Sequence, residues 1–422
     1  MIEQARPKRD LRPYYVLAAL AIGLLAGAAV SEAGSPAAGP LMQTAEFIGG
    51  LWLNALKMTV VPLVVALLVM GVAQGAQAAR AGRIAGRSVL WIVVICTLSA
   101  VFGAVMIELL TSTFPLSRGT AAALQNALAG VDRTAASGPL PGIMDFFKTI
   151  VPSNVVAAAA NGDVLPLVVF ALLFALAVSR IDGKKRDSIV GLFEAIADAM
   201  LVIIGWVLLI APLGVLALAF TVGAGAGSAA FAGLGHYILL VSAIGMLVTL
   251  AAYPIAVIGG RVSPGLFTRS MIAPESVAIS TRSSLACLPA MLTAARSMGI
   301  RDEVADVTLP LAVALFRATG PAMNTAVAFY VAHWLGYDPT VGQMIAATAV
   351  GAVMSYGAIS LPGEVSFISS IAPIAMALGV PIAPLALLVA VEMVPDIFRT
   401  LGNVTMDVAL TTVVNRGGRE PA

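Results

Sequence analysis

Runs of apolar residues about as long as a bilayer-crossing helix alternate with short polar stretches from Tyr14 to Val414. The first run, Tyr14–Ala33, follows the basic segment that holds Arg6, Lys8, Arg9 and Arg12, so the N-terminus is expected in the cytoplasm behind an uncleaved signal anchor. A second span, Ala45–Ala73, leads to Gln77–Arg87, where Arg80, Arg83 and Arg87 stand with no acid between them. The third, Ser88–Leu110, precedes a segment rich in small residues, Thr113–Pro139, expected outside, with a short interfacial element at Phe146–Val155. The fourth, Val164–Val178, ends at Arg180, Lys184, Lys185 and Arg186. A fifth, Ile189–Val222, runs into Gly223–Gly235, which reads as a flexible outside loop, and the sixth, Tyr237–Gly259, returns to Arg261 and Arg269. Each loop placed inside carries two or more basic residues, so the topology is self-consistent.

Beyond Arg269 the pattern changes. Met271–Arg296 is only moderately apolar, is broken by Pro274, Ser280–Ser284 and Pro289, and has basic residues at both ends. A simple span changes sides, so this segment reads as a re-entrant hairpin with Ser283 and Ser284 at its tip. Val307–Tyr330 then crosses, interrupted at Arg317–Pro321. A second hairpin, Met344–Leu378, is broken at Ser360, Leu361, Pro362, Gly363 and Glu364, and a last helix, Pro381–Val414, returns to an inside tail with Arg416 and Arg419. Irregular backbone at membrane depth is tolerated only against protein or a water-filled cavity. Two hairpin-plus-helix units entering from opposite sides are the pattern of an inverted repeat with a midplane binding site.

The last helix carries Glu392, Asp396, Arg399, Asn403 and Asp407 at spacings of four, three, four and four, one face of a 3.6-residue helix. Facing lipid, its four ionisable groups would cost on the order of 10 kcal/mol or more, so the stripe faces protein or water. Three carboxylates against one guanidinium, with Arg399 one turn from Asp396, exceed what a structural ion pair requires. The excess calls for a metal cation, protons or a basic residue from elsewhere, and a substrate and ion pathway accounts for it better than bundle ordering.

Composition agrees: of 422 residues, 59% are hydrophobic and 11% charged, against about 25% charged in soluble domains. The mean hydropathy of +0.98 is that of a polytopic membrane protein. Cys96 and Cys287 lie inside apolar runs and read as packed residues rather than a disulfide, and His236 and His333 near run ends read as interfacial. No Ser/His/Asp or metal-ligand constellation suggests an enzyme. A net charge of +2 points to no particular partner, and nucleic acid is not expected.

These residues resemble the dicarboxylate and amino acid:cation symporters, which include glutamate and aspartate transporters. The likeness covers nearly the whole chain. It rests on Leu56, Lys57, Met58 and Pro62; on Val151–Asn154 and Asn161–Val164; on Thr281, Arg282, Ser283, Ser284, Leu288 and Pro289; and on Asp396, Arg399, Thr400, Asn403 and Asp407. The resemblance implies an all-α polytopic protein in the inner membrane, with eight transmembrane helices, two re-entrant hairpins and an elevator mechanism, assembled as a homotrimer. It implies scaffold parts at 1–80 and 113–230, the latter including the outside loop, and transport parts at 81–112 and 231–422. It implies a substrate site of Arg282, Ser283, Ser284, Asp396, Arg399, Thr400 and Asn403. There the serines hold the α-carboxylate, Asp396 the α-amino group, Arg399 a side-chain carboxylate and Asn403 the substrate backbone, while Asp407 belongs to a sodium site. A planar guanidinium fork suits a carboxylate and an ammonium needs an anion, so Asp396 and Arg399 together favour an acidic amino acid over a plain dicarboxylate.

The chain also departs from that family. Where the family carries Asn-Met-Asp-Gly-Thr, this chain has Phe316, Arg317, Ala318, Thr319 and Gly320, so an acid is lost and a cation gained. Sodium needs hard oxygen ligands, and a nearby guanidinium repels it. In the third span paired hydroxyls are reduced to Ser99 beside Ala100, and near the first tip Ala286 and Cys287 replace Gly and Thr. The coupling ion is H+ or Na+, no prosthetic cofactor is expected, and Arg317 is expected to stand in for a cation opposite Asp407 or Asp396, with Glu364 or Glu392 carrying protons.

Overall fold

The computed structural model describes residues 12–33, 38–80, 82–127, 151–161, 163–355 and 363–416. Among them the chain is nearly all helical, with no strand. The N-terminal basic cluster, the Phe146–Val155 element up to residue 150, the second hairpin's tip through Pro362, the Glu364 side chain and Arg419 lie outside the described residues.

The first half comprises α1 (Arg12–Glu32), α2 (Ala38–Arg80), α3 (Arg83–Thr113), α4 (Arg118–Ala127), α5 (Val155–Asn161), α6 (Val164–Val178), α7 (Gly183–Leu209) and α8 (Ala211–Ala226). The second comprises α9 (Ser228–Pro254) with a π-helical turn at Ile255–Gly259, α10 (Pro264–Thr281), α11 (Ser284–Ser297), α12 (Asp302–Leu315), α13 (Thr319–Trp334), α14 (Val341–Met354), α15 (Gly363–Leu378), α16 (Ala383–Leu388), a 3₁₀ turn at Val389–Val391, and α17 (Met393–Arg416). Five helices are long and apolar enough to cross a bilayer, within Tyr15–Glu32, Ala38–Ala79, Arg83–Thr113, Gly183–Leu209 and Ala229–Gly259. Helices satisfy their own backbone groups, the condition a lipid environment imposes.

Two expectations are corrected here. The fifth span is two helices, because the chain bends at Ile210 and Pro212 sits in the first turn of α8. A proline there lacks the donor that a continuous helix needs. The glycine-rich stretch Gly223–Gly235 is no loop: α8 and α9 are separated by Gly227 alone, at φ +55°. Its glycines serve packing. A Cβ on Gly223 would run into the Leu24 backbone, and one on Gly27 into the Phe220 carbonyl, so α1 and α8 meet main chain to main chain.

Packing sorts the helices. α2 lies against α6, α7 and α8, and Trp52 covers Gly214 while its indole N–H donates to the Val207 carbonyl at 3.0 Å. α17 is the other hub, with α9, α10, α11, α12, α13 and α3 around it, and residues 400–414 are buried throughout. α3 approaches α13 so closely that a Cβ on Gly103 would strike the Ala322 backbone. α10 and α11 pair across a turn at Arg282 and Ser283, and α14 pairs with α15. Each pair is followed by a broken helix, α12–α13 after the first and α16–α17 after the second. The final apolar stretch is therefore not continuous, and Glu392 stands just ahead of α17 rather than inside a single helix.

Candidate functional site

Three chain breaks converge on α17. At the first, Arg282 ends α10 in the left-handed region at φ 52°, uncommon for a non-glycine residue, and its N–H still reaches the Ala278 carbonyl at 2.9 Å. Ser283 follows in extended conformation and caps α11, its Oγ accepting the Ala286 N–H at 3.3 Å, and Ser284 opens that helix. At the second, Phe316–Ala318 separates α12 from α13. There Ser99 of α3 donates to the Ala318 carbonyl, and Cys96 of α3 is fully buried. Ser99 thus secures the broken segment. The third break, at Val389–Glu392, brings Glu392 to the start of α17.

Across these breaks runs a network of charges. Arg399 donates from Nη2 to Glu392 Oε1 at 2.6 Å and from Nη1 to Asn324 Oδ1 at 2.6 Å, with Nε 3.9 Å from Asp396 Oδ1. Glu392, not Asp396, is therefore its principal partner, because the break lets the Glu392 side chain lie along the guanidinium two turns on. Tyr237 donates to the other oxygen of Glu392, Oε2, at 3.2 Å. Asp396 receives a second loose partner in Arg282 Nη1 at 3.8 Å. Glu392 is 1% exposed and Asp396 6%. Desolvated charges of this kind persist only when paired.

Asp407 is fully buried and neither carboxylate oxygen has a hydrogen-bond partner. The charge that acts on it is Arg317, whose guanidinium also feels Asp396 and Arg399. Arg317 makes no ion pair within 4 Å among the described residues. Against the sequence expectation of one guanidinium facing three carboxylates, the fold assembles three of each: Arg282, Arg317 and Arg399 with Glu392, Asp396 and Asp407. A basic residue from elsewhere is thus part of the answer to the excess.

Asn403 Oδ1 accepts the Thr319 N–H at 3.0 Å and lies 2.6 Å from Thr319 Oγ1, which also reaches the Arg399 carbonyl at 2.7 Å. This caps α13, so the Asn403 oxygen is committed within the protein and only its NH2 is left for a ligand. Thr400 is buried beside it on α17.

Three participants had no signal in the last helix. Asn324 and Tyr237 come from α13 and α9, and Glu275 of α10 accepts from Thr405 Oγ1 at 3.0 Å. Glu275 carried the only readable mark, an ionisable residue one position after Pro274 inside a proposed hairpin.

The donors bear on which cation is carried as co-substrate. Asp407 offers two unbonded oxygens, which suits sodium, while Arg317 opposes a second positive charge there. Among the described residues no group of three or more His, Cys, Asp and Glu side chains is placed to hold a metal ion.

Comparison with known proteins gives the same direction. Residues 13–417 match the model of the sodium:dicarboxylate symporter family. The proton/glutamate-aspartate symporter of Escherichia coli (strain K12) is 25% identical over 402 residues, 95% of this chain and 91% of that protein. The proton/sodium-glutamate symport protein of Bacillus subtilis (strain 168) is 28% identical over 408 residues, 94% of this chain and 91% of its own. C4-dicarboxylate transport protein 2 of Ralstonia nicotianae is 26% identical over 416 residues, 96% and 90% of the two chains. The chain is a multi-pass membrane transport protein rather than an enzyme. With a match that spans almost its full length, it belongs to the sodium:dicarboxylate symporter family.

Proposed function

We propose that this protein is a secondary transporter that carries an acidic amino acid, glutamate or aspartate, together with protons, and that Arg317 takes the place of a coupling sodium ion. The observation that carries the reading is the pairing of Arg399 with Glu392 on one part of α17 and, two turns further along, a buried Asp407 whose counter-charge among the described residues is Arg317.

The chemistry is an exchange of carboxylates. With Glu392 ionised, Nη2 of Arg399 is occupied. A proton on Glu392 removes its negative charge and frees that donor for the side-chain carboxylate of the substrate. The guanidinium then keeps an anionic partner, which it requires when buried. One proton enters with one substrate carboxylate, so the local charge is unchanged. Asp396, held only loosely at 3.8 and 3.9 Å, is free to take an α-ammonium group. Ser283 and Ser284 supply a hydroxyl and helix N-terminal donors for the α-carboxylate. Arg282, Thr400 and the NH2 of Asn403 complete the substrate site, Ser99 holds the broken helix in place, and Glu364 is a second proton carrier.

The mechanism we assign is an elevator. Scaffold parts (1–80 and 113–230) stay fixed while transport parts (81–112 and 231–422) move, with α10–α11 and α14–α15 as the two re-entrant hairpins of an eight-span protein. It works as a homotrimer in the bacterial inner membrane with both termini in the cytoplasm. Support comes from the separate packing around α2 and around α17 and from the repeated order of helix pair then broken helix.

One observation favours a second substrate. Asp396 already faces two guanidiniums, so it does not depend on an ammonium group, and a C4-dicarboxylate would leave it satisfied.

The test is uptake of labelled aspartate, glutamate and succinate into proteoliposomes under an imposed sodium or proton gradient. Aspartate or glutamate uptake driven by protons and indifferent to sodium supports the reading. Uptake that requires sodium defeats the role given to Arg317, and succinate preferred over both amino acids selects the second substrate. Binding without uptake removes the transport reading.

A further inference from the structure

A carboxylate has two oxygens, but a proton on Glu392 releases only one donor of Arg399, Nη2. Nη1 stays occupied by Asn324 Oδ1 at 2.6 Å. A second donor for the substrate has to come from another group, and α13 offers one.

The orientation of the Asn324 amide follows from its partner. A guanidinium has donors only, so the atom that meets Nη1 is the carbonyl oxygen, and the NH2 of the amide is turned away from it. Among the described residues no protein acceptor meets Nδ2. The amide is also the one opening in its stretch of chain: residues 318–332 are buried with the single exception of Asn324, which is partly buried. A polar side chain at membrane depth with an uncovered donor faces a cavity or a ligand rather than lipid.

Space for a ligand adjoins it. Gly320 lies one turn before Asn324 on the same face of α13 and is buried, yet a Cβ there would meet only the Arg317 Cβ, at 3.5 Å. Other buried glycines of this core are filled. A Cβ on Gly103, Gly351 or Gly402 would overlap Ala322, Thr325 or Thr319 respectively. A gap thus lies over Gly320, with Arg317 at its near end and Asn324 one turn beyond.

We infer that Asn324 is a specificity-determining residue, whose Nδ2 donates to the side-chain carboxylate of the substrate alongside Nη2 of Arg399, in the space over Gly320. This rests on the proposal that Arg399 takes that carboxylate. The consequence is discrimination between an acid and its amide. Both oxygens of a carboxylate accept, so Nη2 and Nδ2 are each satisfied. A carboxamide brings one oxygen and one NH2, and that NH2 faces a donor whichever way it turns. A donor left unpaired in the site costs the amide its binding. The hydrogen bonding of Arg399 alone does not enforce this, because its one free donor is met equally well by an amide oxygen. The same holds for a C4-dicarboxylate, either of whose carboxylates fits.

The experiment measures equilibrium binding of aspartate, asparagine and alanine, and of succinate and its monoamide, to purified wild type, Asn324→Ala and Asn324→Asp at one pH. Asn324→Asp keeps the shape of the side chain and an oxygen toward Arg399, but turns the donor into an acceptor. Aspartate should bind both variants about tenfold or more weakly. Asparagine should bind Asn324→Asp about tenfold more tightly than wild type, because its NH2 now finds an acceptor. Alanine, with no distal group, should stay within about twofold. Succinate and its monoamide replace aspartate and asparagine in these comparisons if the dicarboxylate is the substrate. A residue that only braces Arg399 through Oδ1 gives the amide no gain, since that oxygen is retained. Asn324→Ala decides the matter if Asn324→Asp does not fold, because asparagine affinity is then kept while that of aspartate falls. No gain for the amide in Asn324→Asp, or aspartate held as tightly by Asn324→Ala as by wild type, overturns the inference and leaves Arg399 as the reader of the carboxylate. A wild type that binds acid and amide equally overturns the role given to Arg399 and this inference with it.

Discussion

Arg317→Met tests the charge balance of the site directly. In the wild type the Asp407 carboxylate has no hydrogen bond and no exposure, and Arg317 is the charge that acts on it. Methionine preserves the length and most of the apolar contact of the side chain while deleting the charge. Breaking a buried pair in contact costs about 3–5 kcal/mol, an upper bound here because Arg317 makes no ion pair within 4 Å among the described residues. The variant should therefore melt several degrees lower in detergent. If the arginine stands where a coupling ion otherwise would, sodium fills the gap: at about a hundred times its dissociation constant it restores about 2.7 kcal/mol. The wild type should show no such response. Arg317→Met/Asp407→Asn, which removes both charges, should regain most of the lost stability without sodium. The assay is a thermal melt with and without sodium chloride, with potassium chloride as the ionic-strength control, followed by uptake under a sodium gradient. An Arg317→Met protein that melts like wild type, or whose loss is not repaired by Asp407→Asn, refutes the charge compensation of Asp407 by Arg317.

Glu392→Gln imitates the protonated carboxyl, so aspartate affinity at pH 8 should rise to its low-pH level and lose its pH dependence; an unchanged profile in equilibrium binding removes Glu392 from coupling. Gly103→Ala places a methyl group against the Ala322 backbone and should destabilise the α3–α13 contact by about 1–3 kcal/mol, read as a lower melting temperature. Thr319→Val deletes the hydroxyl that reaches Asn403 and the Arg399 carbonyl, and should cost about 1–3 kcal/mol and weaken aspartate binding, measured by calorimetry.

The sequence made legible what depends on local chemistry. The turn at Arg282–Ser283 and the break at Phe316–Ala318 both fall where proline, serine and an intramembrane arginine interrupt apolar sequence, because such residues deprive a helix of donors or apolar contacts. Gly223–Gly235 was misread because glycine serves equally for a loop and for a backbone contact, and only the position of Leu24 distinguishes them. The partners of the stripe were hidden for a different reason. Asn324, Tyr237 and Glu275 lie 75, 155 and 130 residues away from the groups they bond, on helices whose relative rotation no periodicity encodes. The principal partner of Arg399 depended on the break ahead of α17, and Pro395 alone does not place it.

The balance of three guanidiniums and three carboxylates has an electrical meaning. Counted without Glu275, which is partly buried and bonded to Thr405, the three arginines and three acids carry no net charge, and each unit charge moved across a membrane potential of 100 mV involves about 2.3 kcal/mol. An empty carrier with this composition can reorient without working against the potential. Substrate that arrives as an anion together with its proton leaves that condition unchanged. If Arg317 stands in for a coupling cation as proposed, its charge sets how strongly the membrane potential acts on the empty carrier.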